Sequence, residues 1–153
     1  MRLMIRLQRE AFDAMAELKR FRQAETGAGS TVMFLGTVRE MTDDGAIEAM
    51  TLEHYPGMTE KALKEIEAEA HRRWPLMGSL IIHRYGKLFP GEDIVLTLTQ
   101  SAHRTAAFEA CAFLVDYLKT KAPFWKLEET RGRTRWVEAR ESDNAAAARW
   151  KNT

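Results

Sequence analysis

The four prolines of this chain, at positions 56, 75, 90 and 123, constrain its fold more than any other feature. Proline fixes its own φ, has no N–H to donate and biases the preceding residue away from the α region, so it stands at element boundaries. Between these breakers the hydrophobic period changes. Leu3, Ile5 and Leu7 alternate with Arg2, Met4 and Arg6, which predicts a half-buried strand. Phe12, Met15 and Leu18, with Ala11 alongside, predict a helix ending before Gly27-Ala28-Gly29. Residues 30–39 (STVMFLGTVR) read as a strand, 41–45 (MTDDG) as a turn and 46–55 as a second strand, so a hairpin is expected there.

After Pro56-Gly57, Thr59 is a candidate cap for a helix whose apolar stripe is Leu63, Ile66, Ala70 and Trp74. Glu60 in its first turn and His71, Arg72 and Arg73 in its last complement the helix dipole. Strands at 79–85 and 93–100 flank the turn at Pro90-Gly91. A longer helix then runs from about 103 to 121, with Ser101 as a plausible cap. Extended pieces near 125–129 and 134–139 and an alanine-rich C-terminal turn or helix close the chain. Paired strands with helices between them predict an α+β fold with a mostly antiparallel sheet. No repeat or linker divides the sequence, and 153 residues suit one domain, 1–153.

Composition excludes several classes. A 45% hydrophobic share beside 29% charged residues is too apolar for a disordered chain. No run approaches the 18 or so apolar residues of a membrane span, and Arg2, Arg6, Arg9, Glu10, Asp13 and Glu17 interrupt any leader-like segment. One cysteine, Cys111, cannot form an internal disulfide, so a reducing cytoplasm is the expected compartment. The net charge of +1 conceals a basic segment from 119 to 140, where seven Lys and Arg face three Glu. That focus fits either a small anion site or a solvated charged stretch, and not a broad nucleic-acid footprint.

Phosphate-loop, dinucleotide-binding and zinc-protease motifs are all missing, and His54, His71, His83 and His103 are scattered, so neither a metal site nor a cofactor is expected. Cys111 shares the stripe Phe108, Cys111, Val115, Leu118, which points it into the core as a small hydrophobe with a raised pKa. Lys119 lies at the edge of that stripe, and Lys126 follows the rigid aromatic turn Pro123-Phe124-Trp125. Two readings stay open for this pair: partly desolvated amines serving as proton donor, proton acceptor or nucleophile, or stems that simply snorkel over apolar surface. His103 and Arg104 at a helix start offer N–H groups and a cation to a phosphate or carboxylate, and Arg39 beside a polar turn is a weaker anion ligand. Sixteen residue steps separate His103 from Lys119, about 24 Å of helix at ~1.5 Å per residue. One small substrate cannot touch both ends. Either there are two subsites, or a symmetric dimer brings the ends of two copies together, which is the preferred arrangement.

The strings LEHYPGMTEKAL (52–63), RRWPL (72–76), SAHR (101–104), DYLKTKAPFWK (116–126) and RWVEARESD (135–143) together resemble the large, catalytic subunit of molybdopterin synthase. The resemblance covers about residues 30 to 150, and the first thirty match less clearly. It implies a hammerhead-type α+β fold with two main packed helices and an N-terminal helix. It further implies a homodimer carrying a small ubiquitin-like subunit at each end, a heterotetramer overall. That partner's Gly-Gly tail, activated as a thiocarboxylate, would deliver sulfur to cyclic pyranopterin monophosphate and build the dithiolene of molybdopterin. The implied catalytic residues are Lys119 and Lys126. The implied substrate contacts are Thr37, Val38, Arg39, His103, Arg104, Lys119, Lys126, Leu127, Glu128 and, as a further anion ligand, Arg140. Val115, Leu127 and the acidic EMTDDG loop (40–45) depart from the family's pattern. Two other readings are a non-catalytic module that docks a ubiquitin-like partner or an anionic nucleotide, and a lysine Schiff-base enzyme acting on carbonyl substrates.

Overall fold

The computed structural model describes residues 2–42, 45–137 and 141–151. Its elements, in chain order, are β1 (Arg2–Gln8), α1 (Ala14–Gln23), β2 (Ser30–Thr37), β3 (Met41–Thr42), β4 (Gly45–Ala46), β5 (Ala49–His54), α2 (Met58–Arg73), β6 (Leu76–Arg84), β7 (Gly86–Leu88), β8 (Asp93–Ser101), α3 (Arg104–Thr120), β9 (Phe124–Thr130), β10 (Arg133–Val137) and α4 (Glu141–Ala148). The strands form two four-stranded sheets, ordered β1-β6-β8-β2 and β10-β9-β5-β7, plus the small β3–β4 ribbon. Every pairing is antiparallel except β1 with β6. The expected α+β class, with a mostly antiparallel sheet, is what forms. The 79–85 and 93–100 segments pair as β6 and β8 across the Pro90-Gly91 turn.

The first sheet is covered on both faces, which explains why β6 reads as one apolar run rather than an alternating one. Ile81 faces the cluster built by Leu63, Ile66 and Ala70 of α2 and by Ala110, Phe113, Leu114 and Leu118 of α3. Leu80 and Ile82 face the other side, where Leu96, Leu98, Ala14 and Phe21 close a second cluster. Burial at ~25 cal/mol per Å² of apolar surface is the main force on both sides. β1 therefore does not alternate between core and water as its pattern suggested. Ile5 and Leu7 pack on the first cluster, Met4 packs on the second, and Leu3 is exposed.

Five further local expectations change. Residues 30–39 and 46–55 do not pair as a hairpin: the turn chemistry supports only the β3–β4 ribbon and the Ile47 N–H to Glu40 carbonyl bond (2.9 Å). Beyond it the strands part, because Met50 and Leu52 of β5 bury against Val38, Ile47 and Leu88 in a third cluster, while β2 pairs with β8. Helix α1 turns Met15 outward and buries Ala14, Glu17 and Phe21. Burial alone would raise the Glu17 carboxyl, but ion pairs to Arg6 of β1 and Arg20 hold it below the usual range. Helix α2 is capped by Gly57, whose φ of 83° suits glycine, and not by Thr59. Helix α3 is capped by His103 with extended backbone, while Ser101 Oγ donates to the Pro75 carbonyl (2.9 Å). On α3 the expected stripe holds at Cys111 and Leu118, but Phe108 is exposed. Among the described residues, no helix is long and apolar enough to cross a membrane.

Candidate active site

A cavity of about 760 Å³ lies where the free edge of β2, the last turns of α3 and the second sheet meet. Three local structures aim charged side chains into it. The first is the C-terminal end of α3, where the buried Leu118 anchors the helix and Lys119, one residue on, projects from its edge. The second is β9. The Lys121 and Ala122 N–H groups both close back on the Tyr117 carbonyl (2.7 and 3.3 Å), and Pro123 turns the chain into the strand. Alternation along β9 then puts Phe124, Lys126 and Glu128 on the cavity face. Thr59 Oγ1 fixes this bend, donating to the Pro123 carbonyl (2.9 Å) while accepting from the Tyr55 N–H (3.0 Å).

The third is the end of β2. A register shift between Gly36 and Thr37 re-aims the strand. Val38 is buried, its N–H donating to the Glu92 carbonyl and its carbonyl accepting from the Gly91 N–H, both at 2.9 Å. That anchor leaves the flanking Thr37 and Arg39 exposed along the cavity wall. Arg39, Lys119, Lys126 and Arg135 thus surround one concave space, with Glu128, Glu141 and Asp143 among its acidic groups. Such a cation-rich cleft suits a small, multiply anionic molecule.

Of the residues singled out by sequence, Thr37, Val38, Arg39, Lys119, Lys126 and Glu128 line this cavity. His103 and Arg104 do not. They are exposed at the other end of α3, a helix running unbroken from Arg104 to Thr120, as the 24 Å argument requires. Leu127 is not part of the wall either; it lies opposite Thr51 and Trp136 in the sheet register. Arg140 lies outside the described residues. Cys111 is buried and its thiol is pushed up to about 12 by desolvation, so it is an inert core group. No group of three or more His, Cys, Asp or Glu able to hold a metal ion occurs among the described residues.

His83 was not anticipated. It is the penultimate residue of the apolar β6 strand, is 8% exposed, and its ring lies 4.0 Å from that of Phe124 at 17° in a near-parallel stack. A lone histidine in an apolar strand gives no sequence signal of this; only the stack on Phe124, two residues before Lys126, brings it to the cavity wall. Its Nδ1 lies 2.8 Å from the Arg84 carbonyl, which can only accept, so Nδ1 carries the proton. Burial drives the imidazole down to about 4 against the pull of that hydrogen bond, and the charges of Lys119, Lys126 and His54 push the same way.

The family model described as MoaE protein matches residues 7–121. The molybdopterin synthase catalytic subunit of Pseudomonas aeruginosa is 56% identical over 95% of this chain and 97% of its own length. That of Escherichia coli K12 is 58% identical over 80% of this chain and 81% of its own length. The solved structure of the molybdopterin biosynthesis MoaE protein from Burkholderia ambifaria superposes with a TM-score of 0.83 at 50% identity, covering 97% of both chains. Likeness of this extent means that the chain belongs to the MoaE family of molybdopterin synthase catalytic subunits.

Proposed function

We propose that the protein transfers sulfur from the C-terminal thiocarboxylate of a small ubiquitin-like subunit to cyclic pyranopterin monophosphate, forming the dithiolene of molybdopterin. The observation that supports this most is that Lys119, from a helix end, and Lys126, from a strand, enter one cavity together with Arg39. A phosphorylated pterin needs fixed cations, and a Gly-Gly tail without side chains is thin enough to reach between them. Each transfer exchanges one sulfur for one oxygen. A ring C–S bond forms, a ring oxygen leaves as water, and hydrolysis of the acyl link returns the tail as a carboxylate. Lys119 and Lys126 are suited to protonating the departing oxygen and to holding the anionic intermediates.

Substrate contacts are assigned to Thr37, Val38, Arg39, Lys119, Lys126 and Glu128 on one copy. His103 and Arg104 reach the same site from a second copy, since they cannot reach it along their own helix. Arg140 is assigned as a further anion contact. The working assembly is a homodimer with one small subunit at each end, acting in the cytoplasm. Mixing the purified chain with thiocarboxylated small subunit and cyclic pterin, then following mass, tests the reaction. Dithiolene formation is expected; a tight complex with an unchanged pterin would instead mean a docking module without catalysis.

A further inference from the structure

We propose that Gly29 is a positioning residue for this reaction: its missing side chain lets the Ala102–His103 peptide lie against the start of β2, and that peptide aims His103 and Arg104 away from their own chain toward a second copy. Its purpose rests on the assignment of His103 and Arg104 to the second copy's site, whereas the contact itself belongs to one chain.

Of the nine glycines, Gly29 is the one whose added Cβ would meet main chain first. That atom would stand 2.2 Å from the Ala102 carbonyl oxygen and 3.2 Å from the carbonyl carbon; at the other glycines it meets side-chain atoms or open space. Ser30 and Ser101 are the last partners of the β2–β8 ladder, so Gly29 and Ala102 are the residues where the two strands part. Carbon and carbonyl oxygen cannot approach so closely, and relief requires opening the contact by about 1 Å.

The joint gives way at one place. Ser30 Oγ donates to the Ser101 carbonyl (3.1 Å), and Ser101 Oγ donates to the Pro75 carbonyl (2.9 Å). Beyond the helix start, Ala106 and Ala107 are buried, and Thr99 Oγ1 donates to the Ala107 carbonyl (2.8 Å). Residues 102–105 lie exposed between these two anchors, so the displacement falls on the peptide that joins Ala102 to His103. A peptide unit is planar, and pushing its oxygen one way swings the His103 N–H the other. His103 is the extended residue that leads directly into α3 (φ −127°), so its side chain and that of Arg104 turn with the plane. Misplacing a group that holds substrate by ~1 Å can cost ~10²-fold in rate. Gly29 touches the reaction only through these two residues.

The test combines subunit mixing with two glycine replacements in the full-length chain. Gly29→Ala should lower kcat/KM for the cyclic pterin by about 10²-fold, with a thermal midpoint near that of wild type. Gly27→Ala, in the same loop, is the control: its Cβ would meet only the flexible ends of Glu25 (Oε1, 3.0 Å) and Met77 (Cε, 3.4 Å), and turnover should be unchanged. Mixed with Lys119→Ala, the Gly29→Ala chain should recover about a quarter of wild-type activity, because half of the dimers then hold one site with an intact lysine and an intact His103–Arg104 pair. Mixed with Arg104→Ala it should recover nothing, because both defects lie on the same side of the shared site.

A second measurement needs no turnover. Residual dipolar couplings of the His103 and Arg104 N–H groups, which report the tilt of each peptide plane, should change in Gly29→Ala and stay in Gly27→Ala. Should Gly29→Ala fail to fold, Ser30→Ala removes the hydroxyl bonded to the Ser101 carbonyl without adding an atom, and should shift the same couplings by less with the same mixing pattern. Wild-type turnover in Gly29→Ala, unchanged couplings, or recovery with Arg104→Ala would each overturn the proposal. So would recovery with neither partner while Lys119→Ala and Arg104→Ala recover together. If those two chains do not recover together after proven exchange, the shared site itself fails and takes the purpose of Gly29 with it, while the couplings still decide whether Gly29 sets the plane.

Discussion

The protein builds two partly buried polar assemblies around its first sheet, and they end differently. Under α2, His71 Nε2 meets Ser79 Oγ at 2.8 Å, Ser79 donates to Glu67, and Glu67 also accepts the Met4 N–H at 2.9 Å. Glu67 thereby covers the outer edge of β1, so a chain of hydrogen bonds finishes inside the protein and ties helix to strand. At the cavity, His83 is held by its Nδ1 at the Arg84 carbonyl and by its stack on Phe124, and it borders the cleft that Lys119 and Lys126 also line. The first arrangement ties a helix to a strand, whereas the second faces a cleft that a ligand can enter. An unfilled valence does not separate the two places, since His71 Nδ1 inside the first network is itself buried without a partner; what marks the functional side is the cleft beside it.

Substitutions can break this contrast. The largest expected effect is at the cavity, where Lys119→Ala should lower dithiolene formation by ~10²–10⁴-fold while leaving the thermal midpoint unchanged, because an exposed edge lysine carries little packing. Mixing that variant with Arg104→Ala should restore about a quarter of wild-type activity, since half of randomly exchanged dimers then hold one intact shared site. No recovery after proven subunit exchange would refute the shared site.

The network under α2 should instead report on stability. Burial raises the Glu67 carboxyl from 4.5 to about 7, so the folded state binds its proton more tightly than the unfolded chain does. Its stabilising contribution is complete below the ordinary value and is lost as pH rises through about 7, amounting to roughly 3 kcal/mol by about pH 8. Urea unfolding across that range should give a falling free energy in wild type and a flatter profile in Glu67→Gln; equal slopes would remove Glu67 from the account. The smallest effect belongs to Cys111. Cys111→Ala should cost about 1 kcal/mol without altering turnover, and the native thiol should resist alkylation at neutral pH.

Much of this was legible in the sequence where one physical signal dominated. The α2 stripe of Leu63, Ile66 and Ala70, the burial of Cys111 and the β6–β8 hairpin all follow from periodicity and proline placement. The separation of His103 from Lys119 followed from helix rise alone. What was not legible depended on distant partners. Glu17 can face inward because Arg6 and Arg20 neutralise it, Met4 is covered by an unexpected helix face, and β2 leaves the expected hairpin for β8. At the site, the lysines stand out because they flank an aromatic turn. His83 acquires meaning only when folding lays it on Phe124.

Thr59 touches no part of the cavity, yet its hydroxyl holds the bend that separates the two amines. The gap between them is thus a dial turned from behind the wall. Replacing that remote threonine is therefore expected to change the spacing of the two amines while every residue lining the cavity keeps its identity.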